Sequence, residues 1–502
     1  MNAVEWLLDR HIAEGRADRV AFIDPARRLT YGALAEASQR FAGGLAAAGI
    51  GRERRMLMLM QDTVDFPIAF LGAIRAGVIP VPVNTLLTPA QAAYMLADSR
   101  AEVLCISAAV LPALREVIAA AADLCLVLVT GENFDAFVAN APAMAQPVPA
   151  SPDEVAFWLY SSGSTGNPKG ARHVHSSLRA TADTYAAQVL GIRPDDLVCS
   201  AAKLFFAYGL GNSLTFPMSV GAAAFLLPDR PTPDAVRTVM RQHRPSIFCG
   251  APTLFAALLA QKLDKGAGSD RLRRCISAGE ALPEHIGTRW EAEAGTQILD
   301  GIGSTEMLHI FLSNRPDALR YGTSGIAVPG YDLRVVDEHD AETAEGEIGE
   351  LLVRGPSAAE GYWNQREKSR RTFQGEWTRT GDKYIREQGG FYRYQGRTDD
   401  MFKVSGIWVS PFEVETALIA HPAVLEAAVV ARPDADGLLK PMAFLVLKPG
   451  HHPDAALLQA LKEEVKTRAG AWKYPRWIEI VDELPKTATG KIQRFILRES
   501  VA

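Results

Sequence analysis

The sequence predicts a large N-terminal α/β domain, built of parallel-rich sheets with helices plus a small β-rich subdomain. A hinge joins it to a small α+β C-terminal domain. Three observations carry this reading. The chain has 502 residues, more than one hydrophobic core usually supports. Up to about residue 330, helical patterns alternate with short apolar runs, the signature of βαβ units. From Gly330 the texture changes to short strands, and a separate pattern begins past residue 396.

Taken in order, MNAVEWLLDRHIAEG carries acids early and reads as an amphipathic helix, not a signal peptide. Helical patterns over Thr30–Ala48, Thr88–Asp98 and Val110–Ala122 alternate with apolar runs Met56–Met60, Val78–Val83 and Val103–Ile106. The alternation continues with runs Val155–Tyr160, Ala222–Leu227 and Ser246–Gly250, and helices around Pro233–Gln242 and Thr253–Leu263. Asp332–Asp337, Gly349–Arg354 and Gly390–Gln395 are short strands between Gly, Glu and Asp turns, giving a β-rich subdomain over 330–396. The boundary falls at Gln395–Asp400, so that 1–396 forms the large domain and 397–502 the small one. The latter reads as helix Pro411–Ile419, strands Leu425–Ala431 and Met442–Lys448, helix Asp454–Ala469 and strand Trp477–Val481.

Composition narrows the function. Hydrophobic residues at 48% and charged residues at 22% are ordinary for a soluble globular protein. A net charge of −5 leaves no footprint for nucleic acid or an anionic membrane. The five cysteines are scattered without a C-x-x-C pair, against a disulfide framework or zinc site and for a reducing cytosol. The apolar stretch Phe66–Leu87 is broken by Arg75, Pro80, Pro82 and Asn84, too polar to span a bilayer. A cytoplasmic enzyme, monomer or homodimer, is expected.

The most informative stretch follows the apolar run Val155–Tyr160. Tyr160–Gly170 reads YSSGSTGNPKG and brings together the hydroxyls of Ser161, Ser162, Ser164 and Thr165 with Gly163, Gly166, Gly170 and Lys169. Glycines let backbone N–H groups converge, hydroxyls add donors and the lysine adds a point charge, which together suit an oligophosphate. The Walker pattern does not fit, because Pro168 stands where its second glycine belongs and Gly170 follows the lysine. A second stretch, Asp300–Met307 (DGIGSTEM), ends a glycine-rich turn in a lone carboxylate, Glu306. Mg²⁺ takes few protein carboxylates beside phosphate and water, so Glu306 suits a metal ligand. In Thr380-Gly381-Asp382, an Asp on a tight turn can accept both hydroxyls of a ribose, although Gly-Asp turns are common.

At these residues the chain resembles the adenylate-forming superfamily of acyl-CoA synthetases, peptide-synthetase adenylation domains and luciferases, over nearly its whole length. The resemblance implies ATP and Mg²⁺ as cofactors and coenzyme A as co-substrate. It makes Ser161–Gly166 and Lys169 the phosphate loop, with Thr165 and Glu306 on the metal. Ser277–Pro283 is similar to the family's adenine-side loop, implicating Ala278, Gly279 and Glu280. The stretch Asp300, Gly301, Ile302, Gly303, Ser304 and Thr305, with Glu306, resembles the Y-G-x-T-E motif, Thr305 and Glu306 matching it and Ile302 standing where the family usually stacks an aromatic ring on adenine. Asp382 and Arg397 resemble the ribose contacts, and Asp399 the hinge.

In Pro485–Arg494 (PKTATGKIQR), Lys491 by itself is one surface lysine among many. The resemblance to P-K-x-x-x-G-K implies the catalytic lysine that meets charge developing at the α-phosphate. Met401–Pro411 (MFKVSGIWVSP) resembles the segment that lines the pantetheine tunnel, implicating Lys403, Ser405, Gly406 and Trp408.

Lys203–Leu210 resembles the family's P-x-F-H-x-x-G segment, which implies an acid pocket on Phe205, Phe206, Ala207, Tyr208 and Gly209 with His309 and Ile310. Flat aromatic surfaces suit a planar ring, and Phe206 replaces the family's usual histidine. FFAYGLGN with GIGSTEMLH resembles benzoate–CoA ligases and their aryl-acid relatives, implying an aromatic carboxylic acid as substrate. Another small acid, a carrier-protein-loading enzyme, a luciferase-type oxygenase and a non-catalytic nucleotide binder are the alternatives. No G-x-G-x-x-G opens a helix after an N-terminal strand, against a dehydrogenase.

Overall fold

The structure is a computed structural model and describes residues 1–161, 167–261, 263–404, 407–435, 438–470, 472–486 and 492–501. Its described residues divide into two compact units: Met1–Asp332 with Val353–Thr378, and Leu333–Leu352 with Arg379–Ala502. By compactness, 333–352 and 379–396 therefore group with the C-terminal segment, whereas the sequence suggested a boundary at 396. No described helix is long and apolar enough to cross a membrane.

The first unit is built on parallel strands, as the alternation of helices and apolar runs requires. In its nine-stranded sheet, Ile298–Gly303, Arg274–Ser277, Ile247–Gly250, Leu197–Ser200, Ala223–Phe225 and Val20–Ile23 lie side by side in parallel. Antiparallel strands close both edges, with Ile310–Ser313 and then Ile326–Ala327 beyond Ile298–Gly303, and Arg28–Thr30 beside Val20–Ile23. A second sheet aligns Ile79–Pro82, Arg55–Leu59, Val103–Ser107 and Leu126–Thr130, all parallel.

Local signals set the helix ends. Thr30 accepts from the Ala33 N–H and starts Tyr31–Ala47. Thr88 and Gln91 form a reciprocal capping box at the start of Pro89–Ser99. The helix Asp65–Arg75 is a departure from the sequence reading, where its residues passed as a broken apolar run. Every residue in it is buried, so it has no polar face and no amphipathic period.

A second departure concerns the phosphate-loop hairpin. Val155–Ser161 pairs antiparallel with Lys169–Val174, and Gly361–Tyr362 adds a third antiparallel strand. The glycine-rich loop thus connects two strands of a hairpin, and Val155–Tyr160, read in the sequence as part of the βαβ alternation, is antiparallel.

In the second unit, Val424–Pro433 and Leu439–Leu447 pair antiparallel, and Trp477–Ile480 joins in parallel. Helices Pro411–Ile419 and Ala455–Arg468 pack with them over a core that includes Val414, Leu418, Val429, Leu445, Leu461 and Val465. A further helix, Arg494–Glu499, was not anticipated.

Candidate active site

In the first unit, Lys169 opens the second strand of the hairpin, opposite Ser161. Its Nζ lies 4.4 Å from the centre of the Tyr362 ring and 3.4 Å from the phenolic oxygen. Ser162, Gly163, Ser164, Thr165 and Gly166 lie outside the described residues.

Glu306 stands in the turn that follows strand Ile298–Gly303. Gly303 is required there, because a Cβ would stand 2.4 Å from the His309 carbonyl oxygen. Two residues past Glu306, Leu308 holds φ +65, a left-handed conformation uncommon outside glycine and worth attention where it adjoins candidate ligands. The turn is pinned from three sides. The buried His173 donates Nε2–H to the Thr305 carbonyl at 2.8 Å, the Ala359 N–H donates to the Glu306 carbonyl at 2.8 Å, and Ser357 donates to the Met307 carbonyl at 2.7 Å. Burial holds His173 at a pKa of about 4, so it is neutral and donates from one ring nitrogen.

The Glu306 carboxylate accepts from the Tyr362 hydroxyl at 2.7 Å. Desolvation alone would lift its pKa, but the hydrogen bond from Tyr362 and the charge of Lys169 outweigh it and keep the group ionised. Among the described residues no three His, Cys, Asp or Glu side chains converge as a metal cage. A single ionised carboxylate is the donor set that Mg²⁺ takes when phosphate oxygens and water complete its shell.

Ser277 ends a strand in register with Asp300, and Ala278, Gly279 and Glu280 form the loop beyond it. Gly279 holds φ +100 and a Cβ there would meet nothing within 4 Å, so the backbone is open on that side. Asp300 is buried, and its carboxyl accepts from the Leu282 N–H at 3.4 Å, which ties the loop down. Burial pushes its pKa up to about 8, against the pull of that N–H. Gly301 and Ile302 pair with Ser313 and Leu312, and Ser304 Oγ accepts from the Met307 N–H at 3.2 Å.

The acid-pocket candidates separate into two groups. Phe205 and Phe206 pack against each other with ring centroids 4.4 Å apart and planes tilted by 57°. Their loop is held by buried Asp62, which accepts the Leu204 N–H at 3.2 Å. Ala207–Leu210 is a short helix, and Gly209 is packed so closely that a Cβ would stand 2.0 Å from the Lys203 carbonyl oxygen. Tyr208 points its hydroxyl at the Ile276 carbonyl, 3.1 Å away, so its polar end is satisfied by backbone.

His309 lies 5.7 Å from the Tyr208 ring, 5.1 Å from Tyr185 and 4.4 Å from Phe216. It is buried and pushed down to a pKa of about 3 by burial, against the pull of the Tyr208 backbone carbonyl. Ile310 is buried at the start of the next strand. Tyr185, Phe216, His173 and Tyr362 escaped the sequence reading. Each stands far along the chain from the motif it touches, and only Tyr362 carried a local cue, the aromatic pair at the end of E-G-Y-W.

In the second unit, Asp382 does not sit on an isolated tight turn. Thr380-Gly381-Asp382 lies within strand Trp377–Arg386, with Gly381 at φ +71. Asp382 is paired in register with Arg397, which donates to its carboxylate at 3.1 Å and to the Thr380 carbonyl at 3.0 Å. The carboxylate drives the Arg397 pKa up, and the arginine fixes the carboxylate's orientation. The Asp399 carbonyl accepts from Arg498 at 3.4 Å, and Asp400 accepts from Arg498 at 2.8 Å. Lys403 and Trp408 are opposite each other in the hairpin Phe402–Val404/Ile407–Val409. Their side chains, together with Ser405, Gly406 and Lys491, lie outside the described residues.

Two family models match this chain. Residues 9–363 match the AMP-binding enzyme model, and residues 413–491 its C-terminal domain. The chain belongs to the AMP-binding enzyme family. Within this family it is 51% identical to 4-hydroxybenzoate–CoA/benzoate–CoA ligase of Rhodopseudomonas palustris, over 99% of this chain and 94% of the relative. It is 53% identical to benzoate–CoA ligase of Thauera aromatica, over 99% and 96%. A solved benzoate CoA ligase from Burkholderia xenovorans LB400 superimposes with a TM-score of 0.93 at 50% identity, covering 99% of this chain and all of that one. The family match to the C-terminal domain ends on Lys491.

Proposed function

We propose that the protein is an ATP-dependent aryl-acid–CoA ligase that activates benzoate or a substituted benzoate as its adenylate and transfers the acyl group to coenzyme A. The observation that carries this is full-length identity above one half to two benzoate–CoA ligases. The aromatic surroundings of His309 support the choice of a planar acid.

An aryl carboxylate is ionised near neutral pH, so the first half-reaction needs no general base. The carboxylate attacks the α-phosphorus of ATP and pyrophosphate leaves. Lys169 and the loop 161–166 hold the phosphates, Glu306 and Thr165 hold Mg²⁺, and Lys491 meets the charge developing at the α-phosphate. The metal neutralises phosphate charge when bound. Ala278, Gly279, Glu280 and the 300–305 segment take the adenine side, while Asp382, oriented by Arg397, receives the ribose hydroxyls. Catalysis is thus placement plus charge stabilisation.

The ring lies against Phe205, Phe206, Ala207, Tyr208, Gly209 and Ile310, with His309 offering a neutral nitrogen. In the second half-reaction the C-terminal segment turns about Asp399 and presents Lys403, Ser405, Gly406 and Trp408 to coenzyme A. Its thiolate attacks the acyl carbon and AMP leaves.

Product analysis with coenzyme A as sole acceptor tests this. Thioester, AMP and pyrophosphate should form in equal amounts. Lys491→Ala should lose thioester from the free acid but keep it from supplied aryl-adenylate. Aryl-adenylate that accumulates without thioester would instead indicate a carrier-loading enzyme.

A further inference from the structure

We propose that Tyr362 is a positioning residue that holds Glu306 and Lys169 apart, so that the carboxylate meets a divalent cation and the ammonium meets phosphate. This rests on the roles proposed above for those two residues. Tyr362 lies in the two-residue strand Gly361–Tyr362, paired antiparallel with Lys169–Val174. The same short segment is tied on both sides. Trp363 N–H donates to the Gly170 carbonyl at 2.8 Å, and Ala359 N–H donates to the Glu306 carbonyl at 2.8 Å. The ring is buried at 4% exposure, packs 5.4 Å from Phe373, and its backbone N–H donates to Ser369 at 2.9 Å. The phenol therefore has little freedom to move.

Its hydroxyl donates its one proton to Glu306 Oε1 at 2.7 Å. The lone pairs are left for Lys169, whose Nζ lies 3.4 Å from the oxygen and 4.4 Å from the ring centre. The contact between the two charges thus runs through the phenol. An ammonium and a carboxylate brought this near in a poorly solvated site attract strongly. A direct pair would occupy carboxylate oxygen that a cation needs and would turn the lysine away from phosphate. The phenol satisfies each group through a hydrogen bond or ring contact that an arriving cation or phosphate can outcompete.

Tyr362→Phe keeps the ring and its face to Lys169 and deletes the hydroxyl alone. Mn²⁺ binding in the presence of ATP, read by electron paramagnetic resonance, should weaken about tenfold, the scale of one hydrogen bond to a charged group. The metal concentration for half-maximal pyrophosphate release should rise in step. Thioester formation from supplied aryl-adenylate should be unaffected, and Tyr362→Phe should add nothing in a Glu306→Gln background. Unchanged Mn²⁺ affinity, or equal loss in the thioester half-reaction, would overturn the proposal. Wild-type protein that binds no Mn²⁺ with ATP would remove the metal-ligand reading of Glu306, and this proposal with it.

Discussion

At the scale of single residues, the site places each titrating group in one charge state by its surroundings. Glu306 is held ionised by a hydroxyl and an ammonium, while His173 and His309 are held neutral by burial. Asp300 goes the other way. With a pKa of about 8 in the folded protein against about 4 for a free carboxyl, it keeps a proton that the unfolded chain has already released. Its contribution to stability is therefore fully present below about pH 4 and is lost as pH rises through 8. Asp300→Asn keeps an acceptor for the Leu282 N–H and removes the titration. Denaturant melts between pH 5 and 8 should show wild type losing stability relative to the variant, at up to ~1.4 kcal/mol per pH unit. Parallel profiles would show that the carboxyl is ionised throughout. The residues that sequence reading found were those carrying their chemistry in a local pattern, as Lys169 and Glu306 do among glycines and hydroxyls. Tyr362 is separated from Glu306 by 56 positions, and no spacing rule connects them.

At the scale of elements, alternation of apolar runs with helical patterns placed half of the parallel strands described in the first unit, the runs at 56–60, 78–83, 103–106, 222–227 and 246–250. It failed where its physical basis was absent. Asp65–Arg75 is buried on every side, so its sequence has no period to read. The hairpin return Lys169–Val174 begins on a lysine and a glycine, poor signals for a strand, and forms because its backbone pairs on both edges. Asp382 read as a turn residue because Gly381 punctuates the sequence, whereas that glycine puts a positive φ inside a strand. Gly209 illustrates a tighter constraint. A Cβ there would stand 2.0 Å from the Lys203 carbonyl oxygen and 2.6 Å from that of Ala202, and both are backbone atoms that cannot rotate away. Gly209→Ala should push the short helix off the Phe205–Phe206 loop and cost about 1–3 kcal/mol of stability. Its KM for the aryl acid should rise while its KM for ATP stays near wild type. Equal changes in both would mean that the helix does not shape the acid pocket.

At the scale of the whole molecule, the described phosphate, metal and acid candidates, Lys169, Glu306, Phe205–Gly209, His309 and Ile310, belong to the first unit. The ribose pair Asp382–Arg397, the hinge candidate Asp399 and the described coenzyme A candidates Lys403 and Trp408 belong to the second. This partition suits the two-stage reaction proposed above. The class of acid decides what the enzyme does. Pyrophosphate release from Mg·ATP across a panel of acids, with and without coenzyme A, tests it most directly. Coenzyme A-dependent turnover on benzoate or a substituted benzoate is expected, with aliphatic acids far slower. Release with aliphatic acids and none with aryl acids would contradict it.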